Sequence, residues 1–245
     1  RISSIFFISK RELATYFLTP VAYIFLVIFL AALGSFTFFL GNFFTRGQAD
    51  LQVFFSFHPW VYLFLIPAIG MRLWSEERKT GTIELLMTLP ITTFEIVIAK
   101  FLAAWFFSLI ALCLTFPMWI SVNVLGSPDN GVIFASYIGS FLMSGALISL
   151  VSCISASTKS QVIAFILSVS ISFIFLMAGL DIILSVFKSW APAIIINIIS
   201  SLSILSNFQQ ITKGVIDLRE LIFFISMILG FLFVNKYLIE LKKSK

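Results

Sequence analysis

Few side chains in this sequence are equipped for chemistry, and their spacing excludes most of it. The single histidine, His58, precedes Pro59 and has no cysteine, histidine or carboxylate cluster around it. Metal sites need several such ligands at set spacings, so His58 reads as a residue where a helix begins near an interface. Cys113 and Cys153 lie inside apolar runs without CxxC spacing and read as small packing residues. No GxxxxGK(S/T) loop is present to cradle a phosphate. Neither a Ser–His–Asp set nor a carboxylate pair can be read. The chain is expected to be non-catalytic, with no cofactor or metal of its own. What remains is one polar stretch, SEERKTGTIELLMTLP (75–90), set between long apolar runs. The chemistry open to it is recognition.

The elements that would present this stretch can be read locally. Trp74 reads as an interfacial anchor. Ser75, Glu76, Glu77, Arg78 and Lys79 read as a solvated extension of the preceding helix, ended by Gly81. Thr82 is a suitable N-cap, and Ile83–Leu89 makes about two turns before Pro90 stops it. Thr92 and Glu95 have capping-box spacing and start the next helix. The result is a short helix at 82–89 whose apolar residues Ile83, Leu85, Leu86, Met87 and Leu89 have few neighbours of their own to bury against. A helix this short is marginal in water. It either docks into a hydrophobic groove on a partner, rimmed by Glu76, Glu77, Arg78, Lys79 and Glu84, or lies back on the lipid surface.

Composition places those elements in a membrane. The 245 residues are 60% hydrophobic and 11% charged, with a mean hydropathy of +1.10. A soluble domain carries roughly 25% charged residues, so most of this surface must face lipid. The apolar runs are continuous rather than alternating, which favours helices over a barrel. The expected fold is an all-α integral membrane domain over 1–245. Six transmembrane helices are expected at about 21–40, 57–73, 101–125, 132–158, 161–187 and 221–239. Pro67 and Pro117 mark expected kinks.

Charge sets the orientation. Twelve of the 16 Lys and Arg residues fall on the side of both termini: Arg1, Lys10, Arg11, Arg72, Arg78, Lys79, Lys100, Lys159, Lys236, Lys242, Lys243 and Lys245. Arg46, Lys188, Lys213 and Arg219 fall on the other. Positive flanks stay in the cytoplasm. The expectation is therefore a multi-pass inner-membrane protein with both termini and the 75–90 segment cytoplasmic. A net charge of +5 distributed in this way is not a nucleic-acid patch. The chain begins at Arg1 rather than Met, so a missing natural start is expected, and 2–10 does not read as a cleavable signal peptide.

Ile2, Ile5, Phe6, Leu13, Tyr16 and Phe17 recur at helical spacing opposite Lys10, Arg11 and Glu12. They read as an interfacial helix turned into the bilayer at Thr19–Pro20, or as a frayed tail. Residues 188–219 read as one or two short helices dipping into the outer interface, or as a tight loop. Asp181 is the lone acid in an apolar run. It is a possible intramembrane polar site or a structural carboxylate near Lys188. Ser136, Ser140, Ser144, Gly145, Ser149 and Cys153 form small-residue rows, for close helix packing or for lining a path.

The stretch PWVYLFLIPAIGMRLWSEERKTGTIELLMTLPITTFEIVIAKFLAAW (59–105), preceded by KRELATYFLTPVAYIF (10–25), resembles the ABC-2 family of ABC-transporter permeases. The gliding-motility-type branch is the most similar part of that family. The residues that carry the likeness are Arg72, Glu76, Glu77, Arg78, Gly81, Thr82, Glu84, Leu85, Pro90 and Lys100. SNFQQITKGVIDLRELIFF (206–224) resembles the family's segment before its last span. The resemblance implies that 82–89 is a coupling helix, docked on a separate ABC ATPase subunit that binds the ATP and Mg. It also implies a second permease copy and, in that branch, a periplasm-facing accessory subunit. The implied function is export, with an ATP-driven mechanical or assembly scaffold of the envelope as the alternative.

Overall fold

The computed structural model describes residues 1–243; Lys245, counted among the cations above, lies outside them. The described residues form fourteen α-helices and one π-helical turn, without strands. In chain order these are α1 (Ile2–Leu18), α2 (Pro20–Ser35) with its π turn (Phe36–Leu40), α3 (Gln52–Ser56), α4 (His58–Gly70), α5 (Arg72–Thr80), α6 (Thr82–Met87) and α7 (Thr93–Cys113). Then come α8 (Phe116–Leu125), α9 (Asn130–Ser157), α10 (Gln161–Met177), α11 (Asp181–Lys188), α12 (Ala193–Ser201), α13 (Ile204–Thr212) and α14 (Leu218–Lys243). An apolar chain in lipid must satisfy each segment's backbone internally, and helices do so.

Among the described residues, four stretches are long and apolar enough to cross a membrane: Pro20–Leu40, Thr93–Leu125, Asn130–Ser157 and Leu218–Lys243. The pairs α10–α11 and α12–α13 bend by 80° and 61° at their breaks, and the number rises to six if each pair is one span. Three of these helices, long and apolar enough to cross, cover the runs read at 21–40, 132–158 and 221–239. The one expected at 101–125 starts earlier, at Thr93, and breaks at Leu114–Thr115 just ahead of Pro117. Proline lacks the N–H that would continue the ladder, and its ring crowds the preceding turn.

Two expected spans differ. The one at 57–73 is the 13-residue α4, about 20 Å long at 1.5 Å per residue and shorter than a ~30 Å hydrocarbon core. It runs through Pro67 and breaks at Met71, where α5 takes over. Nine of its residues are buried, Tyr62 and Ile66 among them. Its apolar character thus serves protein contacts. The run at 161–187 is not one helix but α10 and α11 meeting at 80°. Gly179 sits at that break, and a Cβ there would come within 2.7 Å of Ser203 Cβ. Ser203 Oγ donates to Leu176 O at 3.2 Å, so the start of α13 packs against the end of α10 at this bend. The 188–219 segment contains the two short helices α12 and α13 rather than a tight loop.

α9 is the central mast. Its small residues Ser136, Ser140, Ser144, Gly145, Ser149 and Cys153 are all buried, which is the close-packing outcome. Its hydroxyls bind a different neighbour at each level. Ser140 Oγ meets His58 Nδ1 at 2.7 Å and Tyr62 OH at 2.9 Å on α4. Ser144 Oγ meets Ser108 Oγ of α7 at 3.1 Å, and Ser152 Oγ accepts from Asn235 Nδ2 of α14 at 2.7 Å. His58 does open α4, but it is buried rather than interfacial. Small residues let helix backbones approach, and Ser140, Ser144 and Ser152 find partners across those contacts, while Ser136 and Ser149 bond back within α9.

The bundle has two distinct ends. At one, Gln52 Nε2 donates to Thr212 O at 3.2 Å. At the other, the termini meet the 75–100 segment: Glu12 of α1, Glu77 of α5 and Lys100 of α7 come together, and Lys242 reaches the end of α9.

Candidate functional site

The site is built at the end that carries the termini, where α5 and α6 project before α7 returns. α5 stops because Gly81 adopts φ 77°, ψ 5°, a conformation that penalises any Cβ. Thr80 Oγ1 bonds to Thr82 Oγ1 at 3.1 Å and donates to Glu76 O at 2.9 Å, tying the corner to α5. Gly81 is thus the N-cap of α6, and Thr82 is its first helical residue rather than the expected cap. α6 ends at Met87, ahead of the expected Leu89, and Thr88 closes it with a 2.6 Å bond to Leu85 O. Pro90 lies in the turn beyond. Thr92 and Glu95 form the expected capping box: Glu95 N donates to Thr92 Oγ1 at 3.3 Å, and Thr92 N donates to Glu95 Oε2 at 3.1 Å.

The apolar residues of α6 do not all wait for a partner. Ile83, Leu86 and Met87 are half-buried against the chain's own core. The expectation that they lack neighbours is corrected: α6 folds one face back onto the bundle because neighbouring helix ends approach it. Leu85, Leu89 and Pro90 face outward, with Leu85 68% exposed, while Glu84 and Thr88 are exposed on the flank of α6.

α5 is likewise less solvated than expected. Trp74 is fully buried rather than an interfacial anchor, and Ser75 is buried beside it. The first N–H groups of a helix have no upstream partner. Here Ser155 Oγ of α9 accepts from Trp74 N at 3.0 Å and Ser75 N at 3.1 Å, and donates to Met71 O at 2.8 Å. One hydroxyl splints the α4–α5 break. Further along, Arg78 Nη1 and Lys242 Nζ both donate to Ala156 O at 3.1 Å, so two cations cap the carbonyl end of α9.

Lys100 forms the buried centre. Its Nζ lies 2.6 Å from Glu77 Oε1 and 3.3 Å from Glu12 Oε1. It also lies 5.2 Å from the Trp74 ring centroid. The side chain of Lys100 is 3% exposed. Burial pushes the Glu77 carboxyl above its ordinary pKa, and this outweighs the downward pull of the Lys100 ammonium. The cluster joins three helices: α1, α5 and α7. α1 is further held along α7 by Ser9 Oγ donating to Ala99 O at 3.2 Å and by Tyr16 and Phe17 against Phe107.

Of the residues singled out in sequence, Glu77 and Arg78 turn inward to Lys100 and to α9, while Glu76 and Lys79 stay exposed. Asp181 is remote from this site. It is exposed in the first turn of α11, just past the 80° bend, and no ion pair within 4.0 Å joins it to Lys188 among the described residues. Sequence reasoning missed Glu12, Lys100 and Ser155 as parts of the site. Lys100 carried a usable signal, since a cation two turns inside an apolar helix must find counter-charges.

No curated protein matches the chain. The family described as ABC-2 family transporter protein matches residues 23–234. The matched region begins within α2, ends within α14, and takes in the α5–α6–α7 arm and the α9 mast. This chain belongs to the ABC-2 family of transporter proteins.

Proposed function

We propose that the chain is the permease subunit of an ATP-driven ABC export complex, with α6 as its coupling helix. A separate ABC ATPase subunit binds ATP and Mg and grips the outward face of α6. A second permease copy completes the membrane unit. The motif spacing at 76–90 supports the gliding-motility-type branch, whose complexes often include an outer accessory subunit. The preponderance of cations around the termini supports a cytoplasmic position for that end.

The observation that carries this reading is the connection behind α6. Leu85 is exposed at its tip, while α5 immediately upstream delivers Glu77 to Lys100 on α7 and, through it, to Glu12 on α1. A push on α6 therefore reaches the span that begins with α7, and α1 packed along it, through a buried ion cluster and a hydroxyl splint. Rigid connection is what transmission of a nucleotide-driven closure requires.

Leu85→Asp tests it. Leu85 is exposed, so the variant is expected to insert and purify as a monodisperse species while co-purification with the cognate ATPase falls at least tenfold. Retention of the ATPase at wild-type level overturns the reading. Leu86 is a poorer probe because it is half-buried in the chain's own core.

A second reading, force transmission to envelope partners without flux, is favoured by the filled interior around α9, whose hydroxyls at 140, 144, 152 and 155 are engaged by neighbouring helices. Reconstituted vesicles separate the two: substrate flux supports export, and ATPase cycling without flux supports force transmission.

A further inference from the structure

A cleft of about 930 Å³ opens behind α6, between its inward face, the end of α5, the α9–α10 turn and the last turn of α14. Its walls carry five cations, Arg78, Lys79, Lys159, Lys242 and Lys243, against one carboxylate, Glu84. None of the five forms a salt bridge among the described residues. Arg78 and Lys242 are spent on the carbonyls of Ala156 and Ser157, which converge their charge at one point. Lys79, Lys159 and Lys243 are exposed. The floor is apolar, with Ile83, Met87 and Ile239 lining the same space.

Gathering five cations in one concavity is unfavourable unless an anion offsets the repulsion. The position selects the anion. α9 and α14, whose ends form the cleft, are both long enough to cross the membrane, so the cleft lies at headgroup depth. Cationic side chains at such a level attract anionic lipid, and basic pockets between membrane helices hold phosphate headgroups. A basic wall over an apolar floor also matches an amphiphile better than a free ion or a flat acidic protein surface.

We propose that this cleft binds the phosphate headgroup of an anionic phospholipid and that the bound headgroup braces α6 from behind. The face of α6 that carries Ile83, Glu84 and Met87 looks into the cleft, while Leu85 points away from it. The lipid and a partner on the outward face would therefore occupy opposite sides of one short helix. The inference rests on the cleft alone and stands whether or not α6 meets an ATPase.

The test uses the full chain in detergent with phosphatidylglycerol or phosphatidylcholine, read by native mass spectrometry and by melting temperature. The variant Lys79→Gln/Lys159→Gln/Lys243→Gln removes the three exposed cations and leaves the two that cap α9. Lys10→Gln/Arg11→Gln removes surface cations from α1 as a control. Wild type and control are expected to retain phosphatidylglycerol at least tenfold over phosphatidylcholine and to gain several degrees from it. The triple variant is expected to lose both effects while melting normally in phosphatidylcholine. The single variant Lys159→Gln, expected to show a partial loss, keeps the test decisive if the triple variant misfolds. Equal retention in all variants overturns the proposal. Displacement of phosphatidylglycerol by millimolar inorganic phosphate overturns it in favour of a free-phosphate site. Normal lipid retention with lost binding of an acidic protein partner overturns it in favour of a protein-docking surface.

Discussion

Lys100→Met would strand two carboxylates that in the wild-type chain share one buried ammonium. Breaking a buried pair from one side costs about 3–5 kcal/mol. Glu12 and Glu77 are 26% and 20% exposed and keep some water, so a loss on the order of 2–3 kcal/mol is expected. Replacing both partners is milder than replacing one, and neighbouring sites couple. Lys100→Met/Glu77→Gln is therefore expected to recover part of the loss, visible as non-additive melting temperatures in a double-mutant cycle. Strict additivity would show that the 2.6 Å contact carries no coupling. Lys100 was legible in the sequence as a basic residue, but its role was not. Its two counter-charges lie 88 and 23 positions away, and nothing local announces them.

At the scale of the element, short-range rules performed well where the cause is short-range. The Thr92–Glu95 capping box, the Gly81 stop and the Thr19–Pro20 turn all depend on residues within a turn of one another. Gly81 is open to a simple test. A Cβ there meets no atom within 4 Å, so only its left-handed conformation is at issue. Gly81→Ala is expected to cost about 1–2 kcal/mol and to increase protease cutting at the α5–α6 corner, whereas Gly81→Asn, which tolerates that region, is expected to cost less. Equal behaviour of the two variants would count against a conformational role. The same local rules misjudged the N-cap of α6 and the environment of Trp74. Both depend on what packs around the corner. Residues 161–187 read as continuous because they are apolar but for Asp181 and a few small polar residues; at the bend, Gly179 lies against Ser203 and Ser206 at the start of α13, contacts that no local rule announces.

Across the whole molecule, the expectation to check is orientation. In a chain with Cys113→Ser and Cys153→Ser, Leu85→Cys is expected to react with a membrane-impermeant maleimide only after permeabilisation. Gln48→Cys, at the opposite end, is expected to react in intact cells; the reverse pattern would invert the assignment. The amino-acid sequence by itself determined that this is an all-helical membrane chain, where its principal apolar runs lie, and which segment projects between them. Those properties follow from the absence of water along each run and from residues within a few positions of each other. Only the tertiary structure decided that α4 is a buried strut, that α9 is bolted to its neighbours by serines, and that half of α6 is already covered. It also decided which charges are paired and which are left facing an open cleft. These are contacts between residues distant along the chain, and their energies exist only once helix packing has brought the partners within hydrogen-bonding range.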